Sequence, residues 1–301
     1  MSGADAARLL CLAALWGGSF VFMRVAVAGL GPIWLAESRV LIAFLALLAV
    51  ARLRAAVPAF TPHARAFVFV GVVNTAIPFS LFAWAANHIP ASTGAMLNAT
   101  SPFFAAIVAA IWLRERIGPA KLAGMAAGFA GVALLVGWHP GTADAQSAPA
   151  VLACLLASLC YGIASVYARR RLSGLPSFSV ALYSQMVAAI ALAPGVALVT
   201  APVNVTAAIA ANVLGLALAS TALAYLLYFR LIANIGPARA LTVTFLIPMF
   251  GVLWGWLFLG EAITSRTLAA CSLIVVGTWL AVRAPRQEPA SAALQKPSPS
   301  N

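Results

Sequence analysis

Ten long apolar runs, separated by short segments that hold most of the charged residues, make up most of the sequence. Only 8% of the residues are charged and 63% are hydrophobic, whereas a soluble domain carries about 25% charged residues to keep its surface hydrated. A helix crosses the hydrocarbon core of a bilayer with about 20 apolar residues. The runs therefore predict an all-α integral membrane protein with ten transmembrane helices. Their approximate bounds are 8–28, 33–51, 66–86, 91–113, 120–137, 149–168, 178–199, 206–229, 237–259 and 266–282.

Positive charge is distributed unevenly over the segments between the runs. Of the 18 Lys and Arg residues, Arg24 and Arg39 lie within runs and only Arg266 lies on the side opposite the N-terminus. Cytoplasmic loops are enriched in Lys and Arg, so we predict a multi-pass protein of a bacterial-type inner (plasma) membrane with both termini cytoplasmic. The net charge of +12 is thereby explained by topology. A nucleic-acid partner is not expected, because its binder would cluster basic residues on one hydrated face.

The two halves of the sequence are related. A shift of 146 residues superimposes runs three to five on runs eight to ten, and it aligns Pro102 with Pro248 and Glu115 with Glu261. The glutamate match is informative because the whole chain has only six acidic residues. Each half contains five runs, so the second half enters the membrane from the opposite side to the first.

The predicted fold is therefore two inverted repeats of five transmembrane helices. The first repeat covers residues 8–137 and the second covers 149–283, followed by a disordered cytoplasmic tail at 284–301, which is rich in Pro, Ser, Ala and Gln. Inverted repeats are typical of carriers that work by alternating access, since exchanging the conformations of the two halves opens a central site to opposite sides.

Several motifs resemble EamA-domain proteins of the drug/metabolite transporter superfamily. They are the segment Trp-Gly-Gly-Ser-Phe at 16–20, Arg24, Pro32 and Arg39 near the start, and Ser-Thr-Ala-Leu-Ala-Tyr at 220–225 with 248–277 near the end. The resemblance extends from about residue 8 to residue 283. It implies a ten-helix inner-membrane transporter, often an exporter of amino acids or other small metabolites and sometimes of toxic organic compounds. One departure from symmetry is that Gln185 occupies the position equivalent to Arg39.

Paired prolines are the first candidates for a substrate site. Pro102 and Pro248 lie near the centres of equivalent runs, where proline frees a backbone carbonyl that must face protein or a wet cavity. Asn98 and Thr244 precede them by one helical turn. Matching interruptions in two repeats indicate a central binding site; a simple packing kink is the alternative.

Further polar and aromatic candidates lie on other runs. Polar side chains in the middle of a membrane either bridge helices or contact substrate, and aromatic side chains either line a cavity or pack in the core; the sequence leaves both choices open. The candidates are Asn74, Pro78 and Ser220, together with Trp16, Tyr161 and Tyr225.

Charged residues inside runs are interpreted first as functional, because it is costly to bury a charge in a membrane. Arg24, Glu37 and Arg39 are predicted to lie near the outer ends of the first two helices, as an external gate, an anchor for a solute carboxylate or a structural ion pair. Glu115 and Glu261 end their runs, and we expect them to cap helices or to pair with loop residues.

The same scarcity of charge restricts coupling and chemistry. No acidic residue falls near the middle of a run, which favours uniport or exchange over proton coupling, although a proton role for Glu37 stays open. The four cysteines lack paired metal-ligand spacing, and the motifs of intramembrane enzymes are absent, so no catalytic residue, cofactor or metal is expected.

The sequence thus predicts a secondary transporter that exports a small metabolite across the inner membrane by alternating access. An amino acid or a similar uncharged or zwitterionic compound is the preferred substrate. A passive channel, or a multidrug or toxic-compound efflux carrier of the same fold, is the alternative. The lipid bilayer and the small-molecule substrate are the expected partners, and both a monomer and a homo-oligomer are compatible with the sequence.

Overall fold

A computed structural model describes residues 2–53, 59–136, 147–199 and 205–283, and their secondary structure is helical. The predicted tail at 284–301 lies outside the described residues. The main helices are α1 Gly3–Leu30, α2 Pro32–Leu53, α3 Thr61–Ala85, α4 Ala91–Leu113, α5 Pro119–Leu135, α6 Ser147–Arg171, α7 Ser177–Leu198, α8 Ala207–Ile235, α9 Val243–Leu259 and α10 Ser265–Val282.

Eight of these helices are long and apolar enough to cross a membrane, and α5 and α9 are shorter apolar helices. The predicted all-α, multi-pass architecture is confirmed to that extent. Helix α1 begins before its apolar stretch because the Ser2 side chain accepts a hydrogen bond from the backbone amide of Asp5. Helix α8 continues beyond its predicted end and stops only at Gly236, whose φ of 81° favours glycine.

Helix α4 is interrupted near its centre, at a turn formed by Ala99 and Thr100. Pro102 has no amide hydrogen to give to the Asn98 carbonyl, and the Ser101 hydroxyl donates to that carbonyl at 2.6 Å instead. The Thr278 hydroxyl of α10 shares its hydrogen between the Ile274 carbonyl of its own helix, at 2.7 Å, and the Ala99 carbonyl, at 3.1 Å. Hydroxyl groups therefore replace the backbone donors that the turn removes.

The predicted match between the two interruptions is wrong in detail. In the second half the break falls between the short helix Pro237–Ala240 and the start of α9 at Val243. Pro248 lies inside α9 and is buried. The break in the second half therefore lies several residues earlier than the repeat predicts, and Pro248 does not mark it.

Two π-helical segments occupy corresponding places in the halves. Gly71–Ala76 lies within α3 and Gly215–Leu223 lies within α8. Gly71 lies directly against α7, because a Cβ atom there would be 2.5 Å from the Cβ of Val187. π-Helical turns occur frequently at functional sites.

Helices α5 and α10 pack closely through glycine. A Cβ atom on Gly124 would lie 2.6 Å from the carbonyl oxygen of Gly277, and one on Gly131 would lie 2.9 Å from that of Ala270. Gly124, Gly128 and Gly131 recur at the spacing of small residues that favours close helix packing, and the contacts of Gly124 and Gly131 with α10 agree with that spacing.

Replacing Gly124 with Leu is expected to destabilise the contact between α5 and α10, because a side chain there meets backbone atoms. Overpacking of this kind costs about 1–3 kcal/mol. The measurement is the melting temperature of the protein in detergent. Ala126→Leu is the matched control, since Ala126 is exposed on the same helix. Equal melting temperatures for the two variants would contradict the close packing.

Candidate functional site

A cavity of about 550 Å³ lies between the two halves of the chain. Helices of both halves line it, including α1 to α4 from the first and α6, α8, α9 and α10 from the second. The predicted residues on its wall are Trp16, Asn74, Asn98, Pro102, Tyr161, Ser220, Tyr225, Thr244 and Arg39. Pro78 and Pro248 are buried in helix packing, and they are not on the wall; neither are Arg24 and Glu37.

The cavity extends towards one end of the bundle, where α2, α4, α6, α8 and α10 finish. We call it the basic end; its cations include Arg52, Arg114, Arg116, Arg169, Arg170, Arg171 and Arg230. Glu115 and Arg169 lie on the cavity wall at this end, and Ala281 and Val282 lie there at the finish of α10. Towards the opposite end the lining stops at Met23, Arg39 and Phe82. The cavity therefore leads from the middle of the bundle to the basic end.

A glutamate clamp closes the opposite end. Glu261 follows α9, and its carboxylate accepts hydrogen bonds from the backbone amides of Ala91 at 2.6 Å and Ser92 at 3.0 Å, and from the Ser92 hydroxyl. These donors belong to the first turn of α4, where amides lack partners within the helix and the helix dipole favours negative charge. Beside the clamp, a Cβ on Gly251 would lie 2.2 Å from the Cβ of Ala95.

Glu115, the repeat partner of Glu261, has a different contact. Its Oε1 accepts a hydrogen bond from Nη2 of Arg169, at the end of α6, at 2.7 Å. The prediction of a helix cap is confirmed for Glu261, whereas Glu115 pairs with an arginine of α6 and not with a loop residue. The cap formed by Glu261 joins the two halves at the closed end, whereas the ion pair of Glu115 lies at the open end.

Arg39 lies at the inner limit of the cavity and is only 7% exposed. Its Nε donates to Oγ1 of Thr221 on α8 at 3.0 Å, and its guanidinium carbon lies 3.6 Å from the ring centroid of Phe79. Nη1 is 3.8 Å from the sulfur of Met23. These partners are all uncharged.

The structural ion pair, one of the three alternatives for Arg24, Glu37 and Arg39, is not formed among these residues. Arg24 donates to the backbone carbonyl of Ala86. Oε2 of Glu37 is buried and has no hydrogen-bond partner among the described residues. Glu37 and Arg39 are two residues apart on a helix, so they point in different directions.

Polar wall residues divide into two groups. The Ser220 hydroxyl donates to the carbonyl of Leu15 at 2.6 Å and so bridges α8 and α1. The side chains of Asn74 and Asn98 also lie on the cavity wall. Ser220 therefore bridges two helices, and contact of Ser220 or of the two asparagines with substrate stays a prediction.

Aromatic rings enclose the inner part of the cavity. Phe82 contacts Phe20 edge to face, with centroids 5.5 Å apart, and Tyr161 lies 6.2 Å from the Phe82 centroid. Trp16 lies 5.4 Å from Tyr228. These rings provide an apolar wall beside Arg39.

Sequence reasoning missed several wall residues, including Ser101, Ser165 and Thr221. Thr221 has a sequence signal, because it repeats Thr75, and Ser165 lies one helical turn after Tyr161. Among the described residues there is no group of three or more His, Cys, Asp or Glu side chains placed to hold a metal ion.

The sequence profile of the EamA-like transporter family matches residues 6–137 and 148–283. The chain belongs to this family. The resemblance that the sequence motifs indicated is therefore confirmed, and each match covers one half of this EamA-like transporter.

Relatives of this EamA-like transporter include two whose names describe amino-acid export or efflux. This chain is 27% identical to a probable terminal-alkyne amino-acid exporter of Streptantibioticus cattleyicolor, over 88% of this chain and 89% of the relative. It is 24% identical to a probable amino-acid metabolite efflux pump of Salmonella typhimurium, over 94% of this chain and 96% of the relative. Both names describe transport proteins.

A crystal structure of another protein supports the same fold for this EamA-like transporter. It superposes with a TM-score of 0.66, over 93% of this chain and 97% of that chain, at 18% sequence identity. At that identity the likeness extends to the fold alone.

A cysteine at Thr244 is expected to react with a membrane-impermeant maleimide faster from the basic end than from the opposite end, because the cavity leads to the basic end. The four native cysteines are first replaced by Ala. Thr206→Cys is the control, since Thr206 is exposed at the opposite end, at the start of α8. Labelling rates in right-side-out and inside-out vesicles give the comparison. Equal rates for Thr244→Cys from both sides would contradict the one-sided cavity.

Proposed function

We propose that this protein is a secondary carrier that exports a small metabolite across the bacterial-type inner membrane by alternating access. The substrate class is an amino acid or a similar uncharged or zwitterionic compound. The observation that carries the proposal is the cavity between the two halves, which leads to one end of the bundle and is closed at the other. A passive channel would need a path through both ends.

Packing contacts support two inverted five-helix repeats with ten membrane spans, at 8–137 and 149–283. Gly17 lies against Phe250 and Gly251, where an added Cβ would be 2.7 Å from the Cβ of Phe250. Gly162 lies against Phe104 in the same way, with a Cβ distance of 2.9 Å. The two contacts are related by shifts of 145 and 146 residues. The two π-helical segments also overlap at the 146-residue shift.

The glutamates supply a mechanism for the exchange of conformations. The 146-residue shift places Pro237 and Ala238 opposite Ala91 and Ser92. In the conformation that opens to the other side, Glu261 leaves the first turn of α4, and Glu115 leaves Arg169 to accept the backbone amide of Ala238. A second clamp, formed by Glu115, then closes the basic end. Pro237 has no amide hydrogen and Ala238 has no hydroxyl, so this second clamp has one donor where the first has three.

The proposed sidedness of the cavity follows from charge. The cations at the basic end favour a cytoplasmic location for that end, so the cavity faces the cytoplasm and both termini are cytoplasmic. A carrier in this conformation loads from the cytoplasm, which fits export. The names of the two relatives support amino acids as cargo, and the aromatic wall favours those with an apolar side chain.

Purified protein in liposomes is expected to exchange a labelled apolar amino acid for unlabelled amino acid inside, without a pH gradient. Counterflow over a panel of amino acids, a cationic dye and a sugar is the measurement. Exchange of the dye or sugar without any amino acid would contradict the substrate class and would favour an efflux carrier of broader range. Uptake that needs no internal substrate and does not saturate would favour a channel.

Asn98→Leu tests the position of the site in the same assay. The Asn98 amide lies on the cavity wall, so its loss is expected to lower exchange at least tenfold, by removing a hydrogen bond to a buried polar solute worth about 1.5 kcal/mol. Asn212→Leu is the matched control, because the Asn212 side chain is exposed and bonds only to its own helix. Equal activity of the two variants would move the site elsewhere.

Glu261→Gln is expected to increase labelling of the Thr244→Cys protein from the opposite end severalfold. The amide cannot carry the negative charge that strengthens the bonds to the first turn of α4. Glu115→Gln is the matched control, because it removes the same charge from the basic end and leaves the clamp in place. An unchanged labelling rate for Glu261→Gln, or the same increase in both variants, would contradict a clamp specific to the closed end.

A further inference from the structure

We propose that Arg39 binds the carboxylate of the transported solute at the inner limit of the cavity. The carrier then recognises organic carboxylates, with the α-carboxylate of an amino acid against Arg39 and the apolar side chain against the aromatic wall. This inference rests on the proposed transport function and assigns the group by which the same cavity selects its cargo.

No described acidic side chain compensates the charge of Arg39. A guanidinium stays protonated in proteins and carries five N–H donors. Only Nε has an oxygen acceptor among the described residues, Oγ1 of Thr221. The bond to Thr221 and the ring of Phe79 hold the group in place, and the two Nη atoms have no described oxygen partner. Those two atoms form the edge with which arginine binds a carboxylate in the bidentate manner.

None of the described acidic side chains pairs with Arg39. Asp5 pairs with Arg8, Glu115 pairs with Arg169 and Glu261 clamps α4. Glu37 forms no ion pair in the described chain and is absent from the cavity wall. The remaining two acids of the sequence, Asp144 and Glu288, lie in segments outside the described residues.

Burial of the Arg39 guanidinium without an anion is energetically costly. An isolated cation in a low-dielectric interior costs several kcal/mol unless an anion or hydrogen bonds compensate it. Arg39 is 7% exposed and lies beside the only large opening among the described residues that reaches this depth. A solute that brings a carboxylate into the cavity supplies the missing charge. An amine without a carboxylate adds a second cation and is rejected.

The asymmetry between the halves supports a ligand role over a scaffold role. Gln185 occupies the equivalent position in the second half, is fully buried and lies off the cavity wall. Helix packing at this position therefore accepts an uncharged side chain of similar length. The charge is needed only on the side where the side chain reaches the cavity.

Three competitors that share one phenyl group test the inference. L-Phenylalanine and 3-phenylpropionate have the carboxylate, and phenethylamine has only the amine. They compete against counterflow of the amino acid that the wild type exchanges. We expect the two carboxylates to inhibit at concentrations at least tenfold lower than phenethylamine. In Arg39→Gln the inhibition constant of 3-phenylpropionate is expected to rise roughly 10- to 100-fold, the value of a hydrogen bond to a charged group, and that of phenethylamine is not.

Two further variants separate binding from folding. Arg39→Lys keeps the charge without the planar fork and is expected to give an intermediate inhibition constant. Arg24→Gln is the matched control, because Arg24 is off the cavity wall; it should leave the ratio between 3-phenylpropionate and phenethylamine unchanged. If Arg39→Gln does not transport, the melting temperatures of the purified wild type and of purified Arg39→Gln are compared, each with 3-phenylpropionate and with phenethylamine.

The failures of the two proposals are distinguishable. If the wild type exchanges no amino acid, the proposed substrate is wrong, and stabilisation of the wild type by 3-phenylpropionate that Arg39→Gln loses would still support the carboxylate site. If the wild type exchanges amino acids but phenethylamine competes as well as 3-phenylpropionate, the role of Arg39 is overturned and the transport function stands. If the ratio between the inhibition constants of 3-phenylpropionate and phenethylamine is the same in Arg39→Gln as in the wild type, the role of Arg39 is overturned as well.

Discussion

Lipid offers no hydrogen-bond partners, so each piece of irregular backbone in a membrane-spanning chain must find its partners within the protein. The interruption of α4 finds them in hydroxyl groups of Ser101 and Thr278. The π-helical segments lie against neighbouring helices. The same three places supply Asn98, Asn74 and Ser220 to the cavity wall. Irregular backbone therefore contributes to the cavity wall in both halves of the chain, beside polar residues of regular helices such as Arg39 and Ser165.

Hydropathy predicts the helices because burial in lipid selects composition directly. The run at 91–113 coincides with α4, and the Gly124 face packs as its spacing predicts. Helix ends outside the lipid are predicted less well, since capping by Ser2 and termination at Gly236 decide them and neither is apolar. The π-helical segments and the break before Val243 depend on how neighbouring helices pack, and no local sequence pattern encodes that.

The candidate site was predictable in part for a related reason. Repeat alignment and helical spacing pick out Asn98, Thr244 and Ser220, which all reach the cavity wall. Periodicity gives the direction of a side chain on its own helix but not its partner on another. Pairing of Glu37 with an arginine, one of the alternatives that the sequence left open, is therefore not formed, and the contact of Arg39 with Thr221, on a helix 182 residues away in sequence, was not foreseen.

The position of Arg39 has a consequence for the return step of the transport cycle. A loaded carrier changes conformation with the guanidinium neutralised by its cargo, whereas an empty carrier must close around a bare cation that water no longer reaches. The desolvation cost of that empty, occluded state raises the barrier to return. On the proposed mechanism the protein therefore trades one solute molecule for another faster than it moves solute in one direction, and the gradient of the outgoing metabolite against its replacement sets the net flux.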